Sequence, residues 1–204
     1  MRVLRAIVRV WRIRGLVGAG LVVAATARWL PTPLDVPGRS GGVEWVLTPI
    51  LPTIVALAGW ACFGVAHSEF ERVTAQPVVI RRAAAVTMAI SIGVVAVVLG
   101  VGIGGAAVVG IRNLFLLVGL AQASISVAPN TAGWAMVVIP SAVCWLVGAP
   151  VPGAAPPGWA VLLHPSSSFA ATVAAVAAFV VGSALYLARE VPLQFARVEG
   201  GPSR

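Results

Sequence analysis

The uncharged stretch from residue 83 to residue 111 constrains the fold more than any other part of this sequence. It runs for 29 residues without an acidic or basic side chain, whereas a helix crosses the hydrocarbon of a bilayer with about 20 apolar residues. The stretch is too long for one straight span, and Gly104-Gly105 is its natural break. Overall, 59% of the residues are apolar and 10% are charged, against about 45–50% and about 25% in soluble domains. The sequence therefore predicts an integral membrane protein.

The apolar runs predict an all-α, polytopic membrane protein with six transmembrane helices. A Pro/Gly-rich loop at residues 149–167 precedes the last run, and its centre is apolar enough to dip into the membrane interface. Residues 15–188 thus form one transmembrane domain, and residues 189–204 form a tail. We expect the spans at residues 15–30, 44–66, 83–104, 106–128, 131–149 and 168–188.

The basic residues predict the orientation of this domain. All 14 are Arg, and Arg-rich segments next to membrane spans remain in the cytoplasm. The six-span layout places eleven of them on one side and three, Arg28, Arg39 and Arg112, on the other. We therefore expect both termini in the cytoplasm. Residues 113–188 carry no formal charge, so this rule says little about spans four and five.

Residues 1–14 are predicted to form an amphipathic interfacial helix. Arg2, Arg5, Arg9 and Arg12 recur at spacings of three and four, which places them on one helix face. A basic helix of this kind lies in the headgroup layer and is held by anionic lipid. A signal peptide ending near Ala25-Thr26-Ala27 is the alternative, but five further apolar runs follow.

Motifs for catalysis or cofactor binding are sparse. The chain has no Lys, so the usual phosphate-binding loop cannot form. The GxGxxG pattern at residues 100–105 ends an apolar run rather than a strand, which favours a hairpin turn over a dinucleotide site. His67, Glu69 and Glu71 are close in sequence, but two ligands on one helix face are too few for a metal. We expect no enzyme activity, cofactor or metal in this chain, and no nucleic-acid partner.

A short surface helix is predicted at residues 68–77, between spans two and three. Ser68 and Glu71 have the spacing of a capping box, acidic residues favour its N-terminal dipole, and Pro77 ends it. The segment is either a capped loop anchored by arginines or a docking element with Phe70 as its apolar anchor. The candidate docking residues are Ser68, Glu69, Phe70, Glu71, Thr74 and Pro77.

Three cues combine into a recognisable layout. A basic helix begins the chain, a Glu-x-x-Thr…Pro-x-x-x-Arg pattern runs from Glu71 to Arg81, and Arg112-Asn113 precedes Leu-Val-Gly-Leu at 117–120. With the 149–167 loop as an outer re-entrant element, this layout resembles the membrane subunits of bacterial ATP-binding-cassette exporters of the type-two (type V) permease class. Within that class it resembles the short integral membrane proteins of high-GC actinobacteria.

The resemblance implies a permease subunit in a bacterial plasma membrane. A separate cytosolic ATPase would dock at residues 68–77 and bind ATP and Mg²⁺, and a second copy or a related membrane subunit would complete the exporter. A structural or assembly subunit of a larger membrane complex is an alternative from another class, and an intramembrane enzyme is a third. The sequence leaves the transported substrate open.

Arg112 and Asn113 are candidates for the outer part of a translocation path. If the chain turns at Gly104-Gly105, Arg112 lies about a turn and a half inside span four. A lone Arg costs on the order of 3 kcal/mol at mid-membrane, so backbone carbonyls, Asn113 or an aqueous cavity must stabilise it. If span three runs longer instead, Arg112 reaches the outer headgroups.

The sixth span carries a stripe of small residues. Ala174, Ala178 and Gly182 recur at a spacing of four, so they share a helix face. Small residues let helix backbones approach closely in a membrane. The stripe is therefore predicted to contact another helix of this subunit or of its partner.

Overall fold

The computed structural model describes residues 13–29, 51–65, 78–127, 132–148 and 155–188. These residues form helices and connecting turns, with no strand among them. A 3₁₀ turn, Val161–Leu163, precedes the last helix. The six α-helices are α1 (Ile13–Trp29), α2 (Leu51–Val65), α3 (Val78–Val101), α4 (Gly105–Val127), α5 (Ala135–Val147) and α6 (Phe169–Ala188).

Three of these helices are long and apolar enough to cross a membrane. They are Arg82–Val101 within α3, Gly105–Val127 and Phe169–Ala188, with mean hydropathies of 2.5, 1.7 and 2.0. Shorter apolar helices occupy Leu51–Phe63 and Ala135–Val147. The all-helical character and the three long spans agree with what the apolar composition predicts.

The turn between α3 and α4 forms close to the expected break. Helix α3 ends at Val101, Gly102 has a φ of +75°, and α4 begins at Gly105. A positive φ is readily adopted by glycine because it has no Cβ. The alternative in which span three continues as far as Arg112 is therefore wrong.

Three boundaries differ from the sequence-based expectation. Helix α1 already includes Ile13 and Arg14, which were assigned to the interfacial helix. Helix α3 begins at Val78 rather than at residue 83. Helix α5 spans only 13 residues, since residues 132–134 form a turn before it and Gly148 is its C-cap.

Helix α4 is the central element of the bundle. It packs against α2, α3, α5 and α6, and its most extensive contact is with α6. Helix α1 lies to one side, against α2 and α3. Within their apolar windows, 61% of α4 is buried but only 22% of α6. A polar side chain on α4 is therefore placed in the protein interior, whereas most of α6 faces outwards.

Helices α4 and α6 cross at two glycines. A Cβ added to Gly119 would meet the Ala178 carbonyl and the Phe179 backbone nitrogen, and a Cβ on Gly182 would meet the Gly119 carbonyl. Ala178 and Gly182 of the predicted stripe thus lie at this crossing, and Ala174 is half-buried. Beside the crossing, Phe115 and Phe179 pack edge to face, with ring centroids 4.8 Å apart.

Candidate functional site

Arg112 and Asn113 lie inside the bundle, near the start of α4. Arg112 is 5% exposed and Asn113 is fully buried. The chain that covers them runs from residue 155 to residue 168, between α5 and α6, and is called the inserted segment below. Its 3₁₀ turn packs against both α5 and α6. The two polar side chains therefore sit between the central helix and a loop rather than at an open surface.

The Arg112 guanidinium donates hydrogen bonds to backbone carbonyls of the inserted segment. Its Nη1 reaches the Pro165 oxygen at 3.0 Å, and its Nη2 reaches those of His164 at 2.9 Å and Val161 at 3.2 Å. Carbonyls at the end of a short helical turn have no helical donor of their own. The planar fork of an Arg side chain, with five N–H donors, can serve several of them together.

Asn113 completes this arrangement. Its Oδ1 accepts hydrogen bonds from Nε and Nη2 of Arg112 at 3.1 and 3.0 Å, and its Nδ2 donates to the Leu162 carbonyl at 2.7 Å. Adjacent residues on one helix thus bind four carbonyls of the segment. The backbone carbonyls and Asn113 are among the partners that the sequence indicates for a buried Arg112.

The local sequence explains why the inserted segment folds inwards. Ala160 and Leu162 are buried, while Trp159 beside them is 51% exposed. The Ala160 N–H bonds to the Pro157 carbonyl, and the Ser168 N–H bonds to the Pro165 carbonyl. Ser168 also accepts a hydrogen bond from the Ala171 N–H at the start of α6. The turns at Pro157 and Pro165 and the burial of apolar side chains therefore place the backbone carbonyls of the inserted segment next to Arg112.

The charge of Arg112 is stabilised by neutral groups. The described stretches of chain contain no Asp or Glu, and the partners of the guanidinium are carbonyl oxygens and the Asn113 amide. Hydrogen bonds from a charged donor are roughly twice as strong as neutral ones. In this conformation the cation holds the inserted segment. It can meet an anion only if the segment moves, so its place in a translocation path stays a prediction.

Two pairs of hydrogen-bonded polar side chains connect helices, and the sequence did not predict them. Ser183 on α6 donates to Gln122 Oε1 on α4 at 2.7 Å, and Thr53 on α2 donates to Ser141 on α5 at 3.1 Å. Gln122 is fully buried, and among the described residues its Nε2 has no hydrogen-bond partner. A polar residue within an uncharged apolar run indicates that its side chain needs a polar partner. The sequence does not show which helix supplies that partner.

Arg82 forms a second buried contact, at the end of α6. It is 2% exposed, its Nη1 donates to the Tyr186 carbonyl at 2.8 Å, and its guanidinium lies 5.5 Å from the Tyr186 ring centre. A cation is favourable at the negative end of a helix dipole. The Arg82 side chain therefore ties the start of α3 to the end of α6.

Several predicted elements lie outside the described residues. These are the docking residues Ser68, Glu69, Phe70, Glu71, Thr74 and Pro77, most of the interfacial helix, the first part of the 149–167 loop, and the tail.

Comparison with known proteins adds no identity, since no family model, curated protein or solved structure matches the chain.

Proposed function

We propose that this chain is the transmembrane permease subunit of an ATP-binding-cassette exporter in a bacterial plasma membrane. It would cross the membrane six times with both termini in the cytoplasm. The observation that best supports the proposal is the inserted segment, which folds back between α5 and α6 and is held by Arg112 and Asn113 of the central helix. A re-entrant element before the last span is part of the layout that the sequence resembles.

The proposed topology gives the inserted segment a mechanical role. With the N-terminus inside, α4 runs from the outer to the inner side, so Arg112 and the segment lie in the outer half. An exporter that takes up its substrate from inside needs an outer barrier that closes and opens. A barrier held by hydrogen bonds to a cation, rather than by a continuous helix, can release and re-form. Arg112 would then be exposed to an anionic group of the substrate.

The energy for this movement would come from a partner. A cytosolic ATPase subunit, carrying ATP and Mg²⁺, would dock at residues 68–77, and a second copy or a related membrane subunit would complete the transporter. The chain itself would bind no nucleotide, since it has no Lys for a phosphate-binding loop.

The docking residue Glu71 provides the test. We expect Glu71→Arg to reduce association with a candidate ATPase and stimulated hydrolysis in liposomes, because it removes the capping interaction and places a cation at the positive helix end. Glu71→Gln is the matched control, since Gln also forms the capping box. Unchanged association and hydrolysis in Glu71→Arg would contradict the docking proposal.

A structural or assembly subunit of a larger membrane complex is the second candidate. The observation that favours it is the closed interior, in which Arg112 is 5% exposed and bound at every nitrogen. In that case the chain would co-purify with other membrane proteins. Adding the chain would leave the hydrolysis rate of any candidate ATPase unchanged.

A further inference from the structure

An apolar groove runs between α1 and α3 on the outside of the bundle. Its floor is made by small residues, Gly20 on α1 and Ala96 on α3, and its volume is about 290 Å³. Its rims are exposed apolar side chains: Leu21 at 64%, Val95 at 56% and Leu99 at 66%. Almost no polar atom lines it, so the groove offers nothing to water and a continuous surface to hydrocarbon.

The groove exists because the two helices approach closely at small residues. A Cβ on Gly20 would lie 3.0 Å from Cγ2 of Ile92, and a Cβ on Gly100 would lie 2.6 Å from Cβ of Ala27. The backbones thus meet along a narrow line, while the longer side chains on either side project outwards. The result is a groove that runs along the two helices rather than a flat surface.

A cation lies in line with one end of the groove. Val17, Leu21, Ala24 and Arg28 follow one another at spacings of four, three and four on α1, which places them on one helix face. Arg28 is exposed and stands one turn beyond the last groove residue. Trp29, next to it, is 82% exposed, and Trp is enriched where a membrane helix meets the headgroup layer.

We propose that this groove binds one acyl chain of an anionic glycerophospholipid whose phosphate contacts Arg28. The groove covers Val17 to Ala24, roughly 10 Å of helix, and one leaflet provides roughly 15 Å of hydrocarbon. A chain lying along the groove would therefore bring its headgroup to the level of Arg28. The inference goes beyond transport and rests only on the proposed membrane position of α1.

The same geometry argues against a second copy as the occupant. Copies inserted with one orientation are related by an axis along the membrane normal, so a symmetric contact pairs each surface patch with itself. Such a contact would bring two Arg28 side chains together at the same membrane depth. Like charges facing each other are unfavourable, whereas a lipid phosphate neutralises the cation.

The test measures lipid retention by the full-length protein. The protein is reconstituted with equal amounts of phosphatidylglycerol and phosphatidylcholine, extracted in detergent, and analysed by native mass spectrometry for bound lipid. We expect phosphatidylglycerol to be retained preferentially, and Arg28→Gln to weaken its retention about fivefold, the effect of losing one Arg near an anionic surface. Val95→Trp should displace both lipids, because an indole from the rim would cover the groove.

Two matched variants serve as controls. Arg14→Gln removes an exposed Arg at the other end of α1, and Val176→Trp adds an indole at a position of α6 that is 53% exposed. Both should retain lipid like the unmodified protein. Equal retention of the two lipids, or retention unaffected by Arg28→Gln and Val95→Trp, would overturn the proposal. So would a dimer that Val95→Trp converts to monomers, since a second copy would then fill the groove. ATPase association, measured separately, reports on the transport proposal alone.

Discussion

Arg112 is a cation held inside the bundle with no carboxylate among its partners in the described part of the chain. Arg112 directs its N–H groups to the carbonyls of Val161, His164 and Pro165 and to the amide of Asn113. Each contact is to a neutral dipole, and together they replace the water that a guanidinium loses on burial. The cost of placing Arg in a membrane is thereby offset by several charge-assisted hydrogen bonds.

Asn113 is the residue where this arrangement can be tested most cleanly. Asn113→Ala should lower the free energy of unfolding by about 1–3 kcal/mol, because it leaves the buried Leu162 carbonyl without its donor. It also removes the acceptor that orients Arg112. The measurements are thermal unfolding in detergent and hydrogen exchange of residues 155–168, which should accelerate.

Ser126→Ala is the matched control for Asn113→Ala. Among the described residues, Ser126 Oγ bonds within its own helix, to the Gln122 carbonyl at 2.9 Å, so its loss should leave the inserted segment protected. If both variants exchange and unfold like the unmodified protein, Asn113 does not hold the segment.

The sequence predicts the existence of such contacts better than their geometry. An Arg inside an apolar run requires polar partners, and its neighbour Asn113 was identifiable at once. The carbonyls come from a loop about 50 residues further along, and nothing in local spacing links the two. Arg82 shows the same limit: it is buried against Tyr186, more than 100 residues further along, and local spacing does not link the two.

At the scale of the helices, the α4–α6 crossing is the most extensive helix contact in the described part of the chain. Backbone meets backbone at Gly119 and Gly182, so neither helix has a flexible side chain that could move aside. Hydropathy predicted where α4 and α6 run, and the four-residue spacing of small residues predicted that one face of α6 packs closely. Only the tertiary arrangement shows that the partner is α4 and that Gly119 is its counterpart.

Gly182→Ala tests this crossing. Its added Cβ would meet the Gly119 carbonyl, so the helices must separate, and overpacking of this kind costs about 1–3 kcal/mol. The bulkier Ala178→Leu should disturb the same contact. Unfolding of each variant in a denaturing detergent series provides the comparison.

Gly18→Ala is the reference substitution for Gly182→Ala. It makes the same change inside a helix, at a position where no atom lies within 4 Å of the new Cβ. Its stability should be unchanged or higher, because Ala is a better helix former than Gly by about 1 kcal/mol. Equal behaviour of Gly18→Ala and Gly182→Ala would mean that the crossing does not constrain the bundle.

At the scale of the whole molecule, the helices divide into a core and a side element. Helix α4 forms the core together with α2, α3, α5 and α6, which all pack against it. Helix α1 is the side element and packs against α2 and α3. Arg82 at the start of α3 holds the end of α6, while Arg112 on α4 holds the segment that leads into α6. Both ends of α6 are thus tied to the core by a buried Arg. In the transport proposal, release of the Arg112 hydrogen bonds would let the inserted segment move, while the Arg82 hydrogen bond would still hold the other end of α6.

A reversible cross-link can decide whether that movement occurs. A Cβ on residue 105 would lie 3.4 Å from Ser166 Oγ, so cysteine side chains at these two positions would be in contact. Gly105→Cys with Ser166→Cys is made in a background of Cys62→Ala and Cys144→Ala, since both native cysteines are buried thiols that form no disulfide in the described residues. We expect the disulfide to form in the resting protein and to fasten the inserted segment to α4.

In the transport proposal, the readout is ATP hydrolysis by a candidate ATPase in the presence of this chain. If the segment must open for each transport cycle, oxidation should lower stimulated hydrolysis toward the level of the ATPase alone, and a reductant should restore it. Gly104→Cys with Ser166→Cys is the matched control, because no atom lies within 4 Å of a Cβ at residue 104 and no cross-link should form. Full stimulation with the disulfide in place would show that the segment stays closed during the cycle. Arg112 would then serve only to fasten it, and a translocation path past residues 112 and 113 would have to be abandoned.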